Sequence, residues 1–119
     1  MGSRWRAVVV DAADPGRLAR WWAEVLDYRV LDEGAGEVMI GSRRGAEPVL
    51  TFCQVAEERA GKNRLHLDIV PGDQAAEVER LVDMGARHVD VGQHDVSWTV
   101  LADPEGNVFC VLRPAAVDA

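Results

Sequence analysis

The strongest constraint on this chain is an internal repeat. Asp14 and Asp73 each follow a strand-like run and open a helix-like one, and 59 positions separate them. Phe52-Cys53 and Phe109-Cys110 each sit in the last apolar run of a segment, 57 positions apart. Self-similarity at one fixed spacing marks a duplicated supersecondary unit. A single small sheet with one apolar face does not bury that face alone, so the two copies must pack together.

Each copy reads as βαβββ. In the first, a strand is expected over 4–10, with Ala7-Val8-Val9-Val10 as its apolar body. Asp14 then stands where an N-cap is needed, and Pro15 takes the first helical position. Leu18, Trp21, Trp22, Val25 and Leu26 recur three and four apart and give the helix one apolar face. Trp21 and Trp22 are adjacent, so they project about 100° apart. At least one is expected to pack on the sheet, with the other partly exposed for a dimer contact. Further strands are expected over 28–31, 38–40 and 48–55. A charged, Gly-containing linker covers 57–63.

The second copy is expected to run as a strand over 64–70, a helix over 74–84 and strands over 86–91, 96–102 and 107–113. Ala75, Val78, Leu81 and Val82 are its inward helix residues, and Gly85 is its stop signal. Its closing stretch, Trp98 through Leu112, reads as strand, turn, strand. In Asp103-Pro104-Glu105-Gly106-Asn107, Pro presets φ, Gly and Asn tolerate positive φ, and Asp bonds back to the backbone. Residues 115–119 are expected to fray. The chain is thus one domain over 1–119, built from modules at 4–56 and 63–114.

Charge narrows the partners. The formal net charge is −7. Such a chain repels phosphate backbones and anionic lipid, so neither nucleic acid nor a membrane surface is expected. No apolar run approaches the roughly 20 residues of a spanning helix. The first residues lack a signal-peptide pattern, and two cysteines make no disulfide framework. A cytoplasmic protein is expected.

Several stretches together resemble one family. They are Ala12-Ala13-Asp14-Pro15 with Arg17-Leu18 and Trp21-Trp22; Lys62-Asn63-Arg64-Leu65-His66-Leu67-Asp68; Leu81-Val82-Asp83-Met84-Gly85-Ala86; and Trp98 through Leu112. They resemble the glyoxalase/bleomycin-resistance/dioxygenase superfamily, also called the vicinal-oxygen-chelate superfamily, and within it the glyoxalase-like proteins of actinobacterial type. The resemblance implies an α+β fold in which two βαβββ modules form a cupped eight-stranded pair of half-barrels around a cavity. It also implies a small organic ligand, as in drug-sequestering members, and a homodimer.

Enzymes of that superfamily hold a divalent metal through residues on the first, fourth, fifth and eighth strands, typically His, Glu, His and Glu. Counted seven residues before the capping Asp, the first-strand position here falls on Ala7, and its counterpart falls on His66. The last-strand position falls on Cys110, and the fourth-strand position on Thr51 or Cys53. The hard-oxygen set is broken, so no metal and no metal-dependent reaction is expected. The alternative is a zinc-like divalent ion held by His66, Cys110 and Cys53, supporting lyase, isomerase or dioxygenase chemistry.

The candidate ligand-binding residues are His66, Asp68, Trp98, Cys110 and Cys53. His66 reads as a satisfied interior histidine or as a polar group on the ligand wall, where it is the one candidate for catalytic proton transfer. Asp68 shares a strand face with His66 and Arg64; a structural salt link with Arg64 is the preferred expectation over orientation of the histidine. Trp98 reads as core or as an aromatic wall for a flat ligand. The two cysteines read as small hydrophobes or as symmetry mates near the ligand. His88, His94, Arg43 and Arg44 read as surface residues. Serine-nucleophile elbows, phosphate loops, dinucleotide fingerprints and His-Glu-x-x-His are missing from the sequence.

Overall fold

A computed structural model describes residues 1–57, 60–61, 63–93 and 96–114. His94, residues 115–119 and positions 58, 59 and 62 of the expected linker lie outside the described residues. The chain divides into two compact units, Met1–Glu58 and Arg59–Ala119. Both have the order strand, helix, three strands, as the repeat requires.

Unit 1 comprises β1 (Ala7–Ala12), α1 (Pro15–Leu26), β2 (Arg29–Gly34), β3 (Glu37–Gly41) and β4 (Val49–Gln54). Its sheet has the order β1-β4-β3-β2. β1 runs parallel to β4, and the other pairs are antiparallel. Asp14 caps α1 by accepting the Arg17 backbone N–H at 3.2 Å, and Pro15 follows at the first position, where no amide hydrogen is needed. The helix ends at Asp27, whose φ of 55° is left-handed, a conformation that Asp tolerates better than most residues. Leu18, Ala19, Trp21 and Trp22 are buried on α1, with Val38, Ile40 and Phe52 on the sheet. Each of the larger aliphatic and phenyl side chains among them stabilises the unit by about 1.5–3 kcal/mol when fully buried. Both tryptophans are inside, with ring centroids 5.1 Å apart in an edge-to-face arrangement. The expected exposed member of the pair is therefore absent. Edge-to-face packing lets adjacent rings that diverge on the helix share one core.

Unit 2 comprises β5 (Leu67–Ile69), α2 (Gln74–Asp83), β6 (Arg87–His88), β7 (Thr99–Ala102) and β8 (Val108–Val111). Its sheet order, β5-β8-β7-β6, reproduces that of unit 1. Asp73 caps α2 through the Ala76 N–H at 3.1 Å. At the other end, Gly85 at φ 109° lets Ala86 donate back to Leu81 at 2.9 Å. The helix is rolled relative to expectation. Leu81 is buried and Val78 is half-buried, but Ala75 and Val82 are exposed. Gln74 accounts for the roll: its amide donates to Ser97 O at 2.8 Å and to Val111 O at 3.0 Å, so the 74–78–81 stripe faces in.

The strands of unit 2 are shorter than the sequence suggests, and β6 is reduced to Arg87 and His88. His88 is exposed, as expected, though on a strand. The β7–β8 turn forms as predicted. Asp103 is buried and accepts the N–H groups of Glu105 and Asn107, both at 2.9 Å, while Gly106 takes φ 88°. No helix among the described residues is long and apolar enough to cross a membrane.

Candidate functional site

Three chemically distinct side chains meet on one sheet face of unit 2. β5 and β8 are parallel neighbours, and their register sets Asp68 directly beside Cys110. His66 lies just ahead of β5, two residues before Asp68 and hence on the same face. Its Nε2 is 3.0 Å from Asp68 Oδ1. One ligand atom from each of His66, Asp68 and Cys110 lies within 4.8 Å of the others. Phe109 and Val111, either side of Cys110, are fully buried, and strand alternation puts them on the opposite face.

Local bonds hold this arrangement. Asn63 Nδ2 donates to Val108 O at 3.0 Å and ties the approach to His66 onto β8. Gln74 holds the other end of β8 through Val111 O. The His66 and Asp68 side chains are 48% and 51% exposed, whereas Cys110 is buried. The interior-histidine reading is thus overturned, and a ligand can reach the imidazole. Asp68 takes His66 as its partner in place of the expected Arg64.

Burial, and then the Asp68 carboxylate, push the Cys110 thiol above its ordinary pKa. Cys110 and Asp68 face each other across the β5–β8 register, with their ligand atoms within 4.8 Å. A thiol held above its ordinary pKa is a weaker nucleophile than a free one.

Cys53 belongs to unit 1, where its Sγ is 3.8 Å from Glu37 Oε2. Burial, then Glu37, raise its pKa too. The register pairs Asp11 with Cys53 as it pairs Asp68 with Cys110. This corrects the first-strand position. Matched strand to strand, the counterpart of His66 is Val9, two residues before Asp11, and not Ala7. The link from strand to cap is two residues longer in unit 2, so counting back from Asp14 and Asp73 slips the register. Valine is no better a ligand than alanine.

Trp98 sits immediately before β7 and not on a strand, with 42% of its surface exposed. The core-packing reading does not hold. Arg43 is exposed and lies 3.4 Å from Asp27 Oδ1, and Arg44 is exposed as well. Asn63 and Gln74 are site-supporting residues that sequence reasoning missed, because their partners are backbone carbonyls brought near only by the fold.

A family model described as a glyoxalase-like domain matches residues 7–112. The fold is also similar to solved structures. The trypanothione-dependent glyoxalase I of Leishmania major superposes with a TM-score of 0.72 at 16% identity, covering 98% of this chain and 91% of that one. A glyoxalase/bleomycin resistance protein/dioxygenase family enzyme from Burkholderia phytofirmans gives 0.67 at 17% identity, covering 90% and 95%. The oxidase ChaP-H2 gives 0.66 at 14% identity, covering 95% and 94%. No curated protein matches the sequence.

Proposed function

The chain belongs to the glyoxalase-like domain family, and from that premise we propose that it binds a small organic molecule on the His66–Asp68–Cys110 face of unit 2, without a metal. One observation carries the reading: an accessible imidazole is held at 3.0 Å by a carboxylate whose register neighbour is the buried Cys110. A fixed polar group beside apolar surface is what orients a small ligand. Trp98, exposed in the same unit, supplies a surface on which a flat ring stacks. Sequestration of a drug or natural product is the most concrete form, and a homodimer is the proposed assembly.

Titration of tryptophan fluorescence with aromatic metabolites and antibiotics tests this. The expected result is saturable quenching that weakens in His66→Ala and is lost in Trp98→Phe. Saturation by no compound, or unchanged affinity in His66→Ala, contradicts the proposal.

A second reading has one observation in its favour. His66, Asp68 and Cys110 offer nitrogen, oxygen and sulfur within 4.8 Å, a donor set that suits a borderline-soft ion such as zinc better than Mg²⁺ or Mn²⁺. Asp68 takes the place in this set that Cys53 had in the sequence expectation. A bound divalent ion would supply Lewis acidity, and this chain's residues would supply only its attachment.

A further inference from the structure

We infer that Asp68 is a positioning residue that fixes His66 with its ring hydrogen on Nε2, so that the site selects uncharged ligands carrying an O–H or N–H donor, phenols and enols above all. The role of Asp68 follows from geometry alone. The ligand class rests in addition on the binding reading of this site.

A carboxylate has acceptor oxygens and no hydrogen to give. At 3.0 Å from Asp68 Oδ1, His66 Nε2 must be the donor. A neutral imidazole carries one ring hydrogen, so Nδ1 is left as a bare acceptor. The side chain is half-exposed, and Nδ1 is the ring nitrogen not turned to Asp68. The carboxylate keeps the ring oriented and adds negative charge beside the ligand. The chain's net charge of −7 has the same sign. Anions are disfavoured, and a ligand with only ether or carbonyl oxygen sets lone pair against lone pair at Nδ1.

Nitrogen-15 NMR of the full-length, histidine-labelled protein tests the tautomer at about pH 8.5, above the ordinary histidine range. The His66 signals are assigned by their loss in His66→Ala. The expected result is Nε2–H in the wild type and a mixture of tautomers in Asp68→Ala. Nδ1–H in the wild type, or an unchanged spectrum in Asp68→Ala, overturns the positioning role. Should the variant fail to fold, the wild type is compared with free histidine: enrichment of Nε2–H above the free ratio supports the role, and an equal ratio overturns it.

Calorimetry with 2-naphthol and its methyl ether tests the ligand class. One added hydrogen bond makes naphthol about tenfold tighter in the wild type, with the preference gone in His66→Ala. Equal binding of the two overturns the class. Binding of neither overturns the class together with the binding reading, while the nitrogen spectrum still decides the role of Asp68.

Discussion

Asp68 and Cys110 are register neighbours on the parallel strands β5 and β8, as Asp11 and Cys53 are on β1 and β4. The duplication thus repeats an acid–thiol pair, and the units diverge in what faces it. Unit 1 supplies Glu37 to its thiol, and unit 2 supplies His66 to its carboxylate. Among the described residues, only the second pair gains an imidazole, half-exposed to solvent.

His66→Ala should leave the fold intact. The side chain is half-exposed and its bond to Asp68 is at the surface, so the cost stays within about 0.5 kcal/mol. Thermal unfolding checks this. A large loss of melting temperature would restore a core role for the histidine.

Alkaline pH should weaken the fold through Cys110. Its folded-state pKa is raised, by burial first and Asp68 second. The folded protein therefore holds the thiol proton more tightly than the unfolded chain. That stabilisation is intact below the unfolded thiol pKa of about 8.5 and is lost as pH rises through the folded value. Cys110→Ser cannot titrate there. Urea unfolding from pH 7 to 10 should fall less steeply for the variant than for the wild type, and parallel curves would contradict the assignment.

Much of the fold is legible in the sequence because its signals are local. Asp14 and Asp73 cap through their own next turns, and the Asp103–Asn107 turn closes on itself. The exact register is not local. The two-residue difference between Asp11–Asp14 and Asp68–Asp73 is invisible without the sheet, so the position opposite His66 slips from Val9 to Ala7. The roll of α2 was hidden for the same reason, since Gln74 finds its carbonyls on distant strands. At the site, His66, Asp68 and Cys110 are all readable as candidates. Their meeting, and the exchange of Arg64 for His66 as the partner of Asp68, depends on the sheet pairing and on the bond by which Asn63 ties the approach to β5 onto β8.

Gly106→Val should cost more than about 1 kcal/mol. Gly106 sits at φ 88°, and a β-branched residue is strained there. Chemical denaturation reads the loss, and an unchanged midpoint would reject the turn geometry.

Trp22→Ala should destabilise the protein by about 3–5 kcal/mol, because the ring is buried edge-to-face against Trp21. A variant with a wild-type unfolding midpoint but an altered oligomeric state would return Trp22 to the surface as a dimer contact.

Native mass spectrometry of freshly purified protein, with parallel elemental analysis, tests the central claim most directly. The expected result is the bare chain, or the chain with an organic adduct that His66→Ala loses, and no stoichiometric divalent metal. One divalent ion per chain, lost in His66→Ala, would contradict it and turn His66, Asp68 and Cys110 into metal ligands.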